Sequence, residues 1–255
     1  MVELDGVGVR YRVPRGGVRS IKEYLLLAVR GQLRFDDFWA LEDVSLKVYH
    51  GERLGVIGRN GAGKSTLLQV IAGVLDPTTG TADVRGRVAP LLQLGAGFDP
   101  ELSGRENVFL NGTLLGMRRA QITARFDEII EFSELAAFVD APLRTYSTGM
   151  AARLAFAVAT ACEPDVLLLD EVLSVGDEAF QEKCVARLRE FTTRGTTMII
   201  VTHSPEFVLR ECTRAVWIQD KRVAAEGEVA TVMDAYHHFL HLDHATEAPA
   251  AATLG

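Results

Sequence analysis

Apolar and polar positions along the chain follow two periods. Val2 to Val13 alternates weakly, with Val7, Val9 and Tyr11 on one face, and Leu41 to Val48 alternates again, so both stretches read as strands. Leu54 to Ile57 is a short apolar strand, another is expected at Val88 to Leu94, and Ala215 to Gln219 reads as a late one. Val166 to Leu169 and Met198 to Val201 are continuously apolar, as strands covered on both faces must be, and this marks them as central strands of a parallel sheet.

Between these runs the period becomes helical. Helices are predicted from about Gly63 to Gly73, through Ser103 to about Phe138, from Gly149 to Ala161, over Glu178 to Phe191 and over Thr231 to Leu242. Pro14-Arg-Gly-Gly, Gly51-Glu and Asp76-Pro-Thr-Thr-Gly80 read as loops or turns, and Pro142 as a breaker. Ser20 can cap a short helix over Ile21 to Arg30, in which Ile21, Tyr24, Leu25 and Ala28 share a face. That helix is either packed on a core or set against another protein. Alternating strands and helices predict an α/β fold with a mostly parallel central sheet, interrupted by a mainly helical stretch at about 101–161. The last residues, 243–255, are Ala-rich with Pro249 and read as a flexible tail.

Composition narrows the class. At 255 residues with 48% hydrophobic content, the chain forms one large domain or one domain with a smaller lobe. Cys162, Cys184 and Cys212 are too few and too scattered for a disulfide framework and read as buried small side chains in a reducing compartment. The 27 Lys and Arg against 34 Asp and Glu give a net charge of −7, which makes nucleic acid a poor default ligand. There is no charged leader followed by an apolar segment, and no run reaches the ~18 apolar residues of a spanning helix. Any membrane contact is therefore expected to be peripheral or through a partner.

Two segments carry phosphate chemistry. Gly58-Arg-Asn60-Gly61-Ala62-Gly63-Lys64-Ser65, followed by Thr66, fits G-x-x-x-x-G-K-[ST] between a predicted strand and a predicted helix. Its glycines let backbone N–H groups curl around phosphates while the helix points its positive end at them. Lys64 adds charge at the β- and γ-phosphates, and the Ser65 hydroxyl is a candidate ligand for Mg²⁺. Val166-Leu-Leu-Leu169 ends in Asp170-Glu171. Asp170 is the candidate metal carboxylate, and Glu171 the candidate base or positioner of an attacking water. His203 leaves the Met198 to Thr202 run at a strand end, where it can bond a γ-phosphate or act as a local cap.

Tyr146-Ser147-Thr148-Gly149-Met150 precedes Asp170, Gln93 follows a strand, Ser174-Val-Gly-Asp177 follows Glu171, and His203 comes next. In that order these elements resemble the ATP-binding-cassette superfamily over roughly residues 1–242. The resemblance implies a P-loop NTPase fold with an N-terminal antiparallel β-subdomain and a helical subdomain. It implies that Gln93 senses Mg²⁺ and water, that Ser147, Thr148 and Gly149 meet the γ-phosphate bound by a second copy in a head-to-tail ATP sandwich, and that Asp177 supports that interface. The departures from the common Leu-Ser-Gly-Gly-Gln signature, together with Leu91-Leu-Gln-Leu-Gly-Ala-Gly-Phe98 and Pro100-Glu-Leu-Ser-Gly-Arg-Glu-Asn107, look like the ATPase subunits of polysaccharide exporters. By that resemblance residues 14–38 hold a gate helix, Tyr11, Phe38 or Trp39 stacks on adenine with Tyr11 first, and the partners are polytopic permease subunits at the cytoplasmic face of the cell membrane. An exporter of another lipid or a drug, or a cassette ATPase outside transport, is the alternative.

Overall fold

The computed structural model describes residues 1–15, 22, 26, 29–30, 35–91, 95, 97–170, 176–202 and 204–246, with no side chains described for Pro14 or 242–246. Two sheets are present among them. A three-stranded antiparallel sheet has the order β2 (Phe35–Val48), β1 (Val2–Pro14), β4 (Thr79–Val84). A six-stranded sheet has the order β5 (Val88–Leu91), β6 (Val166–Asp170), β7 (Thr197–Val201), β3 (Arg53–Ile57), β8 (Arg214–Gln219), β9 (Arg222–Gly227). All its pairs are parallel except β8 with β9.

The continuous apolar strands are buried on both faces, as their composition requires. In β6, Val166 and Leu168 join the cluster beneath the antiparallel sheet, whereas Leu167 and Leu169 join the cluster under the helices. In β7, Ile199 and Val201 face the first cluster and Met198 and Ile200 the second. Each such side chain contributes about 1.5–3 kcal/mol of transfer free energy when fully buried, so the sheet is held from both sides.

Helix α1 (Lys64–Ile71) follows β3 directly. The predicted helical stretch from Ser103 resolves into α2 (Gly104–Leu114) and α3 (Arg119–Ser133), separated at Gly116, whose φ of 83° a helix cannot contain. Ser103 and Glu106 form a reciprocal capping box that starts α2. Helix α4 (Thr148–Ala161) packs between α3 and α5 (Glu178–Thr193) through Phe132, Phe156 and Phe180, whose ring centroids lie 5.9, 5.7 and 6.4 Å apart. These aromatic contacts hold the middle of α4 against the end of α3 and the start of α5. The chain closes with α6 (Pro205–Glu211) and α7 (Val229–Thr246), the latter running past the expected end at Leu242. Residues 22, 26 and 29 are helical, and Arg30 N–H donates to the Leu26 carbonyl at 3.1 Å, but Ile21, Tyr24, Leu25 and Ala28 lie outside the described residues.

Candidate functional site

Strand β3 ends at Ile57, and the chain turns through 58–63 before α1. This loop depends on glycine at two points. Gly63 has φ 109°, and a Cβ there would lie 2.5 Å from the Ala40 carbonyl oxygen; Gly58 has φ 149°, and a Cβ there would lie 2.3 Å from the Ile218 carbonyl oxygen. The loop is thus pressed against β2 on one side and β8 on the other. Ala62, buried, donates its N–H to the Arg59 carbonyl at 3.2 Å and tightens the turn.

Helix α1 has no side-chain cap and no acidic residue in its first turn, so its leading N–H groups have no internal anion. The Lys64 ammonium donates to the carbonyls of Gly58 at 2.8 Å and Arg59 at 3.0 Å, and its side chain is buried along the loop. A cleft of about 270 Å³ opens over this segment, lined by Asn60, Gly61, Gly63, Lys64, Ser65 and Thr66 and walled by Tyr11, Phe38 and Ala40. A lining that combines a lysine and loop N–H groups with two aromatic rings fits a nucleoside triphosphate.

Strand register puts Asp170, the expected metal carboxylate, at the same height. Asp170 pairs with Val201, and Val201 pairs with Val56, one residue before the end of β3. The carboxyl ends of three parallel strands therefore converge on one level, where ligands bind in such sheets. Asp170 and the exposed Ser65 each offer oxygen, the donor type that suits Mg²⁺. Gln93, Glu171 and His203, expected to complete this chemistry, lie outside the described residues.

The aromatic wall is narrower than the sequence allowed. Tyr11 and Phe38 are direct cross-strand partners and both line the cleft, each about half exposed. Trp39 pairs instead with Arg10, whose guanidinium lies 5.4 Å from its ring centroid, and it does not line the cleft. Phe38 is flanked by the Lys221 ammonium at 4.5 Å, supplied by the β8–β9 turn.

Ser147, Thr148 and Gly149 sit at the start of α4 and are absent from the lining of that cleft. Ser147 is the N-cap, its oxygen accepting from Met150 N–H at 3.1 Å, which leaves its O–H as a donor. Thr148 is exposed, and a Cβ at Gly149 would meet nothing closer than Ser147 Oγ at 3.9 Å. Tyr146, where the common signature has leucine, donates its hydroxyl to the Phe138 carbonyl at 2.7 Å. Its oxygen fills the space a side chain at Gly104 would take, since a Cβ there would lie 2.2 Å away. Burial holds the Tyr146 hydroxyl above its ordinary pKa, with Asp140 adding to the effect.

Asp177 caps α5, accepting from Phe180 N–H at 3.0 Å, and that bond is the first cause of its lowered pKa. Its other oxygen meets Arg153 at 2.8 Å. Arg153, unremarked in the sequence reading, also pairs with Glu134 at 3.0 Å and lies 4.7 Å over the Phe180 ring. A guanidinium two turns into the apolar helix α4 was the available signal. It ties the start of α4 to the cap of α5.

The family model described as ABC transporter matches residues 41–174. An O-antigen export system ATP-binding protein of Klebsiella pneumoniae is 51% identical over 78% of this chain and 81% of its own length. One of Myxococcus xanthus is 46% identical over 96% of this chain, which spans 58% of that relative. A teichoic acids export ATP-binding protein of Enterococcus faecalis is 42% identical over 85% of this chain and 48% of its own length. Among solved structures, a dimeric ATP-binding cassette bound to ADP and phosphate superposes with a TM-score of 0.72 at 24% identity, covering 90% of this chain and 99% of that one.

Proposed function

The chain belongs to the ABC transporter family as an ATP-hydrolysing subunit, and from that premise we propose that it powers export of a lipid-linked polysaccharide through polytopic permease subunits at the cytoplasmic face of the membrane. The observation that carries the substrate class is the 46–51% identity to O-antigen export ATP-binding proteins over most of the chain. The Tyr146 and Gly104 pairing supports it, because both residues belong to the segments that set this signature apart from the common form. No helix among the described residues is long and apolar enough to cross a membrane, which suits a subunit working through a permease.

In this reading Tyr11 and Phe38 hold the base, while the loop amides and Lys64 hold the phosphates. Ser65, Asp170 and Gln93 would hold Mg²⁺, which when bound would supply positive charge to offset that of the phosphates. Glu171 orients the attacking water and accepts its proton, and His203 bonds the γ-phosphate side. Ser147 donates its free O–H, and Gly149 its N–H, to the γ-phosphate held by a second copy; Asp177 stands beside that contact. ATP closes the two-fold sandwich, and hydrolysis reopens it. The test is ATP hydrolysis by the chain reconstituted with its permease in vesicles. Stimulation by lipid-linked polysaccharide is expected; stimulation by a drug or simple lipid alone would assign the alternative exporter class.

A further inference from the structure

Helix α7 has two unlike faces. Its inner face rests on β8, with the Tyr236 and Phe239 ring centroids 5.7 and 5.2 Å from that of Trp217, and with Val232 and Met233 buried. Its outer face is a stripe of metal-ligating residue types. Asp234, His237, His238 and His241 are all exposed there, three or four residues apart along the helix. Three of the chain's six histidines, His237, His238 and His241, thus lie exposed on the face turned away from Trp217.

We propose that His237 and His241 form a chelating site for a borderline divalent transition ion such as Zn²⁺, Ni²⁺ or Cu²⁺. Residues four apart on a helix stand one above the other, the arrangement by which paired histidines hold such ions. Imidazole nitrogen suits these metals, whereas Mg²⁺ prefers oxygen, so the site is chemically distinct from that of Ser65 and Asp170. Exposure keeps the cost of bringing a charged ion to it low. Packing of the inner face on Trp217 holds the helix, so the two imidazoles need little ordering. Among the described residues no three ligating side chains converge, so the protein supplies two nitrogens and water fills the remaining positions.

The experiment is calorimetric titration of the full chain with Zn²⁺ in excess Mg²⁺ without nucleotide, repeated for H237Q/H241Q and for His50→Gln. We expect saturable binding of one ion per chain, weakened at least about tenfold in the double variant as the chelate is lost and unchanged in His50→Gln. Both replaced side chains are exposed, so thermal unfolding of the double variant should match the parent. Undiminished Zn²⁺ binding in the double variant, absence of saturable binding at millimolar Zn²⁺, or one ion per two chains with metal-driven dimerisation would each overturn the intrachain site.

Discussion

Replacing Gly63 with alanine tests whether the phosphate loop is held by steric contact with the antiparallel sheet. The added Cβ faces two obstacles: φ 109° lies in the left-handed region, and the methyl would stand 2.5 Å from the Ala40 carbonyl oxygen and 2.7 Å from Leu41 Cδ2. The backbone term costs about 1–2 kcal/mol. Overpacking against a strand carbonyl adds about 1–3 kcal/mol, because the Ala40 oxygen belongs to β2 and cannot swing away as a side chain would. Gly61 is the control, since its φ of 77° carries a similar backbone cost while nothing lies within 4 Å of its added Cβ. At about 2–4 °C per kcal/mol for a domain of this size, Gly63→Ala should lower Tm by roughly 10 °C and Gly61→Ala by about half that or less. Differential scanning calorimetry of the nucleotide-free chains reads the difference, and titration with ATP should show the larger affinity loss in Gly63→Ala. Equal Tm shifts for the two variants would refute the steric argument.

Glu171→Gln should keep ATP binding but slow turnover by ~10²-fold or more, and trap an ATP-dependent dimer visible by size measurement; near-normal steady-state hydrolysis would remove Glu171 from the reaction. In that background, Arg153→Met should weaken dimer formation while leaving ATP affinity of the single chain intact, because it releases Asp177 from α4. Undiminished dimer would show the Arg153 link to be without consequence for the interface. Charges placed at Tyr24 and Leu25 should impair polymer export more than folding or nucleotide binding if that helix lines a polymer entrance; a melting loss that accounts for all of the export defect would instead mark a packed helix. Burial raises the thiol of Cys162 to about 11 and that of Cys212 to about 12, above the ordinary 9.0. Stability from these thiols is therefore complete below pH 9 and is lost as pH climbs from there through the folded values. Thiol reagents at pH 8 should label them only with unfolding, and rapid labelling of the native chain would contradict their burial.

The strand–loop–helix turn at 58–63 was legible because its residues are consecutive and closely spaced, and the end of β6 at Asp170 because its apolar run gives way there to carboxylates. The strands β4 and β9 were not recognised, since Thr79-Gly-Thr-Ala-Asp-Val84 and Arg222-Val-Ala-Ala-Glu-Gly227 lie at sheet edges and carry small or polar residues without clean alternation. The choice among Tyr11, Phe38 and Trp39 depended on pairing register, and β1 slips against β2 at three points between Leu4 and Arg10. No one-dimensional pattern reports those irregularities. Arg153 escaped notice for a different reason. Its partners Glu134 and Asp177 come from two other elements, so its role exists only once α3, α4 and α5 are packed.

The Lys64 ammonium, bonded to the carbonyls of Gly58 and Arg59, acts as an internal template for the loop that carries it. A flexible glycine-rich segment would otherwise have to be ordered at each encounter with ligand, and that entropy would be charged against affinity. Here the ordering is completed when the chain folds, as Lys64 draws the ends of the loop together over its own aliphatic stem. On the proposed function, phosphate would meet a loop already shaped, and association would be a change of hydrogen-bond partners and not a folding event.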